Sequence, residues 1–255
     1  MNRKNRIKFF LRWGISIALV LSVTNCKSTS KRDYFDSNFK CFAEPGWRDD
    51  ANFKKYIEVA WIPMRLLFAT DNASIKKSDV VFAGDSLVHL FVPELMKKEF
   101  PGRVVTNRGI GGDMTETLLT RIDEDVLVLH PDTIVIEIGG NDFREGKCLS
   151  LVQNNLQLII QKIHAKNRNT KVILLAIPPT RVKELNQIVP VFNLFLNHLA
   201  RTTKNVEYIE VWDIMRNPEA PTLSEEFYRP NGDVLHFNEK GYEIWGKKLR
   251  PYLQK

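Results

Sequence analysis

Short, almost wholly apolar runs alternate along this chain with longer stretches in which apolar residues return every three or four positions. The runs at 79–83, 103–107, 132–138, 171–177 and 206–211 predict strands. The amphipathic stretches at 51–69, 86–99, 114–128, 149–167, 186–203 and 238–251 predict helices. Runs that are apolar at nearly every position, rather than at every second one, belong to strands buried on both faces, as in a parallel sheet. Strand and helix in regular succession, joined by right-handed crossovers, then predict a three-layer α/β/α sandwich. Ile177-Pro178-Pro179-Thr180 ends the fourth strand, because proline has no N–H to continue the ladder. The segment 217–230, with Pro218, Pro221 and Pro230, reads as irregular. There is no internal repeat and no low-complexity tract.

The first 25 residues depart from this pattern. They hold Arg3, Lys4, Arg6, Lys8 and Arg12 and no acid, followed by a mostly apolar stretch at 13–23. That is the layout of a secretory signal, too short for the roughly 20 residues that cross a bilayer. The stretch closes on Val23-Thr24-Asn25-Cys26, which resembles a bacterial lipoprotein signal and implies cleavage before Cys26 and a lipid on its thiol. Asn25 departs from the small residue usual at that position, and an ordinary signal peptide or an uncleaved anchor are the competing readings. On the lipoprotein reading, 1–25 is the signal, 26–50 a tether and lead-in, and 51–255 the folded domain. The protein is then exported and held on a membrane surface of the bacterial envelope.

Composition changes the picture in three places. The formal charge of +7 comes mostly from the leader: beyond residue 25, 32 basic residues face 30 acidic ones, leaving +2 and no ground for a nucleic-acid partner. Export permits a disulfide, and if Cys26 is lipidated only Cys41 and Cys148 remain, bridged or free. No Cys/His cluster has zinc-site spacing, so no metal is expected.

The candidate chemistry lies just after predicted strands or before a predicted helix. Gly84-Asp85-Ser86-Leu87 follows the first strand and opens a helix. A serine there exposes its hydroxyl at a helix N-terminus, a fit place for a nucleophile whose product is an oxyanion; the plainer reading is a turn with an N-cap. Asp233 and His236 stand three residues apart, a spacing that lets the carboxylate meet the imidazole; Asp233 could instead cap the helix that follows. Gly112, within Asn107-Arg108-Gly109-Ile110-Gly111-Gly112-Asp113, could turn its N–H toward the serine, and Asn141, within Gly139-Gly140-Asn141-Asp142, could offer its amide. Asp85, Asp113 and Asp142 each adjoin a motif residue and are expected to hydrogen-bond loop backbone. His89, one helical turn after Ser86, is expected to pack locally or face solvent. The loops at 143–144, 181–186 and 217–230 are candidates to line the site.

Taken in order, Ser86, Gly112, Asn141, and Asp233 with His236 resemble the GDSL/SGNH-type hydrolases. The resemblance runs over about 79–246 and includes the tail Asp233-Val234-Leu235-His236-Phe237-Asn238. Val234 departs from the glycine that often follows the aspartate in that family. The resemblance implies a five-stranded parallel flavodoxin-like sheet and a serine esterase. In it Ser86, His236 and Asp233 are catalytic, the Ser86 and Gly112 N–H groups and the Asn141 amide form the oxyanion hole, and no cofactor is required. The glycine-rich loop resembles the acetylhydrolase branch, which implies short acyl esters of a lipid or glycan. An O-acyltransferase on envelope glycans, or a surface binding protein without turnover, are the alternatives.

Overall fold

The five apolar runs become the five strands of one sheet in a computed structural model that describes residues 32–253; the leader and Cys26, with the expectations placed on them, lie outside the described residues. In chain order the elements are α1 (Asp50–Tyr56), a π-helical turn (Ile57–Trp61), α2 (Ile62–Asn72), β1 (Val80–Gly84), α3 (Ser86–His89), α4 (Pro93–Glu99) and β2 (Val105–Gly109). Then come α5 (Thr115–Asp125), a 3₁₀ turn (Leu127–Leu129), β3 (Thr133–Glu137), α6 (Gly140–Glu145), α7 (Leu149–Lys166) and β4 (Lys171–Leu175). The chain closes with α8 (Lys183–Thr202), β5 (Val206–Ile209), α9 (Trp212–Met215), a second 3₁₀ turn (Glu225–Phe227) and α10 (Glu239–Leu253).

All strands are parallel, in the order β2-β1-β3-β4-β5. Their side chains alternate between two cores, as the two-residue period of a strand requires. Val81, Ala83, Ile134, Ile136, Val172 and Leu174 pack under α5, α7 and α8. Val80, Phe82, Val135, Ile173 and Leu175 pack on the other face, under α3, α4, α9 and α10. Each such residue sealed from water contributes about 1.5–3 kcal/mol, so neither layer is dispensable. The result is the three-layer α/β/α sandwich expected, with its topological switch between β1 and β3; sheets of this order hold ligands beyond the carboxyl ends of the strands at that point.

Three helices differ from their expected extents. The stretch at 86–99 is two helices, because Pro93 forces Val92 into an extended conformation (ψ 156°) before α4 begins. The stretch at 51–69 runs on to Asn72 with a π-helical turn in its middle. α8 starts at Lys183, within the expected loop. The short helices α6 and α9 have no counterpart in the apolar periodicity, since four to six residues are too few to show one. Among the described residues no helix is long and apolar enough to cross a membrane.

Residues 32–49 lie across the domain as a strap. Tyr34 packs against Phe143 and donates its hydroxyl to the Lys147 carbonyl at 2.7 Å. Phe42 bridges to Lys147, Trp47 stacks on Tyr56, and Cys41 is joined to Cys148 in a disulfide.

Candidate active site

Ser86 owes its position to its neighbours on both sides. At Gly84 the end of β1 runs so close to β3 that a Cβ would lie 1.9 Å from the Glu137 carbonyl oxygen, so only glycine fits. Asp85 then caps α3 by accepting the Leu87 N–H at 2.9 Å. Ser86 is the first residue of that helix, where a backbone N–H has no partner within the helix. From the far end of the chain, Asp233 folds its own loop: its Oδ1 accepts the N–H groups of Leu235 (2.9 Å) and His236 (3.1 Å). Its Oδ2 lies 2.7 Å from His236 Nδ1, and His236 Nε2 lies 2.8 Å from Ser86 Oγ. Asn238, not Asp233, serves the start of α10, by accepting the Lys240 N–H. Burial would raise the Asp233 carboxyl, but the Leu235 N–H and His236 outweigh it and hold it below its ordinary value. A carboxylate that stays ionised can fix the imidazole tautomer with Nε2 free to take the serine proton.

The glycine loop lies alongside. Gly111 approaches Ser86, where an added Cβ would sit 3.9 Å from the serine Cβ, and Gly112 has φ +88° with the Tyr56 ring 2.8 Å from where a Cβ would be. Neither glycine N–H has an acceptor among the described residues. Asn141, in the first turn of α6, reaches the same place. Its Nδ2 donates to the Asp113 carbonyl at 3.0 Å and to Asp85 Oδ2 at 3.2 Å, and its Oδ1 accepts from Arg144 Nη1 at 3.1 Å. The amide is therefore clamped at both ends, with the bond to Asp85 the longer of its two donations.

The three aspartates beside the motifs differ from one another. Asp142 accepts the backbone N–H and the hydroxyl of Thr115, and burial pushes it up to about 7. Asp113 meets side chains rather than loop backbone: Trp61 Nε1 donates to it at 3.1 Å and Arg121 at 2.8 Å. Asp85 meets Glu137, which the sequence reading absorbed into an apolar strand. The two are in side-chain hydrogen-bond contact; burial pushes Asp85 up to about 7 and Glu137 well above its ordinary value. A charged residue in a run buried on both faces was the signal that could have marked Glu137, since such a group needs a partner. His89 packs locally, with Nδ1 3.2 Å from the Gly109 carbonyl.

Ser86, His236, Asn141, Glu137 and Arg144 share a cavity of about 40 Å³ with Ile177, Pro178 and Leu185. Of the expected lining loops, 143–144 contributes Arg144 and 181–186 contributes Leu185; from 217–230, Arg229 reaches Asp233 at 3.6 Å. Among the described residues no His/Cys/Asp/Glu group could hold a metal ion.

Known proteins resemble this chain in sequence and fold. Residues 77–244 match the GDSL-like Lipase/Acylhydrolase family. Platelet-activating factor acetylhydrolase IB subunit alpha1 from Bos taurus is 30% identical over 121 residues, covering 47% of this chain and 51% of that one. An arylesterase from Vibrio mimicus is 25% identical over 134 residues, covering 48% of this chain and 67% of that one. A solved structure from Streptococcus pneumonia, of a protein named for platelet activating factor, superposes with a TM-score of 0.71 at 25% identity, covering 80% of this chain and 97% of the other. The chain spans about half the length of the first of these curated relatives. The match over 77–244 takes in Ser86, Gly112, Asn141, Asp233 and His236 together, and on it the chain belongs to the GDSL-like lipase/acylhydrolase family, a family of carboxylic ester hydrolases.

Proposed function

We propose that this protein hydrolyses short acyl esters, acetyl esters first, through a covalent acyl-enzyme on Ser86. The observation that carries the proposal is the continuous relay from Asp233 through His236 to Ser86 Oγ, with links of 2.7 and 2.8 Å. His236 Nε2 takes the hydroxyl proton as Oγ attacks the ester carbonyl, and Asp233 steadies the imidazolium. The tetrahedral oxyanion takes the N–H groups of Ser86 and Gly112. It also takes one N–H of Asn141, released from the 3.2 Å bond to Asp85. His236 returns the proton to the leaving alcohol, and water then resolves the acyl-enzyme by the same relay. The small volume of the cavity, about 40 Å³, favours a small acyl group. A lipid on Cys26 would hold the enzyme at a membrane surface, where acylated glycans and lipid esters are at hand.

The test is hydrolysis of p-nitrophenyl esters from acetyl to palmitoyl by protein starting at residue 27, beside Ser86→Ala. Activity confined to two to four acyl carbons and abolished in Ser86→Ala supports the reading. Preference for long chains overturns the small acyl pocket. No turnover and no fluorophosphonate labelling of folded protein points to a binding protein, and acyl transfer to an added sugar in place of water points to a transferase. Asn141→Ala lowers kcat by roughly 100- to 1000-fold if its amide binds the oxyanion.

A further inference from the structure

Beneath Ser86 two buried acids, Asp85 and Glu137, meet, and among the described residues no cation is ion-paired to either. Glu137 ends β3, in register with Gly84 at the end of β1, and is 1% exposed. Both of its carboxyl oxygens are sealed from solvent, and neither meets an N–H or hydroxyl donor among the described residues. Their partner is the Asp85 carboxyl. Two carboxylate oxygens repel unless a proton lies between them, so the pair carries at least one proton and at most one negative charge. Asp85 is occupied on its other sides: Oδ1 holds the Leu87 N–H that starts the Ser86 helix, and Oδ2 holds the Asn141 amide. Asp85 thus ties the nucleophile's turn directly to the Asn141 amide, and Glu137 steadies that carboxyl from below.

We infer that Glu137 is a positioning residue for the reaction at Ser86, a protonated carboxyl that donates to Asp85, fixes the carboxylate that orients Asn141, and keeps a second negative charge away from the forming oxyanion. The inference rests on the serine mechanism proposed above. Loss of the shared proton at high pH would put two charges beneath the site. It would pull the Asn141 N–H back onto Asp85 at the moment the oxyanion requires it. The other ionisable groups facing the pair do not replace that proton. Asp113 is an acid already matched by Arg121, Tyr242 gives its hydroxyl to the Leu87 carbonyl, Arg144 is bonded to Asn141 Oδ1, and His236 is bonded to Ser86 and Asp233.

The experiment is the pH profile of kcat and KM for acetyl ester hydrolysis in the wild type, Glu137→Gln, Glu137→Ala and Ser86→Ala, each with its melting temperature. Glutamine keeps a donor toward Asp85 and cannot ionise. The expected result is that Glu137→Gln stays within about threefold of wild-type kcat and loses the alkaline decline. Glu137→Ala, with KM unchanged, falls on the order of 100-fold, the effect of a misdirected oxyanion donor. If Glu137→Ala does not fold, the alkaline limb of Glu137→Gln decides. A glutamine variant with the wild-type alkaline limb, or an alanine variant within about threefold of wild type, overturns the inference while leaving the serine mechanism intact. Full activity in Ser86→Ala overturns both.

Discussion

Two buried acids stand on opposite sides of Asn141, and they are neutralised by different means. Asp113 faces Arg121 at 2.7 Å, with both side chains fully buried. Arg121 in turn donates to the carbonyls of Gly84 and Arg108, and Arg65 closes the group on Asp125 at 3.1 Å. Asp85 has no ion pair among the described residues; it meets the carboxyl of Glu137 and accepts from the Leu87 N–H and the Asn141 amide. A cation that never loses its charge fixes the first pair at every working pH, whereas the second pair is held by a proton that pH can remove. The Asp113 side of Asn141 is thus built to be constant and the Asp85 side to be titratable, although burial raises both aspartates.

Removing the cation should break the first pair most severely. Arg121→Met leaves Asp113 buried without its counter-charge, and a broken buried pair costs about 3–5 kcal/mol. Urea unfolding that shows a change below about 1 kcal/mol would mean that the Arg121 network is not structurally required. Next comes pH. Asp85 is raised from 3.8 to about 7 in the folded protein, so the unfolded chain ionises first. Its contribution to stability is whole below about pH 4 and is lost as pH rises toward 7. Between those values the wild type should lose on the order of 3 kcal/mol more than Asp85→Asn, at about 1.4 kcal/mol per pKa unit; parallel stability curves for the two proteins would show that Asp85 does not carry the dependence. The smallest effect belongs to the edge of the constant side. Trp61→Phe removes one N–H to Asp113 and leaves Arg121 in place, a loss of about 1 kcal/mol with no change in the shape of the pH–activity profile. A shifted profile would place Asp113 among the titrating groups.

The same contrast governs what the sequence disclosed. The strands were legible because unbroken apolar runs have few other uses, although the fourth one stops at Leu175, short of Pro178. The blocks of Ser86, Gly112 and Asn141 were legible because each sits where a strand ends, and the sheet order then brings those ends together; the block of Asp233 and His236 was legible by its spacing, just ahead of α10. Contacts that depend on which distant side chains meet were not. Glu137 was hidden by its apolar neighbours, and Asp113 looked like a loop residue because Trp61 and Arg121 approach from helices α5 and the π turn before α2. The Asn141 amide was legible as a donor but not as one already engaged by Asp85 and Asp113. The Pro93 break was visible in the letters, yet periodicity carried the helix through it. Cysteine pairing stayed open because two residues 107 apart give no hint of proximity until the strap is seen lying on α6 and α7.

That cross-link also decides how the molecule answers to mechanical load. Tension applied between the two ends of the chain enters Cys41 and leaves at Cys148 through a covalent bond, bypassing every residue in between. Ser86, Gly112 and Asn141 lie within the closed ring and bear none of that force directly, whereas Asp233 and His236 lie in the part that does. Stretched from its ends, the protein would lose Asp233 and His236 from the site while Ser86, Gly112 and Asn141 stayed assembled.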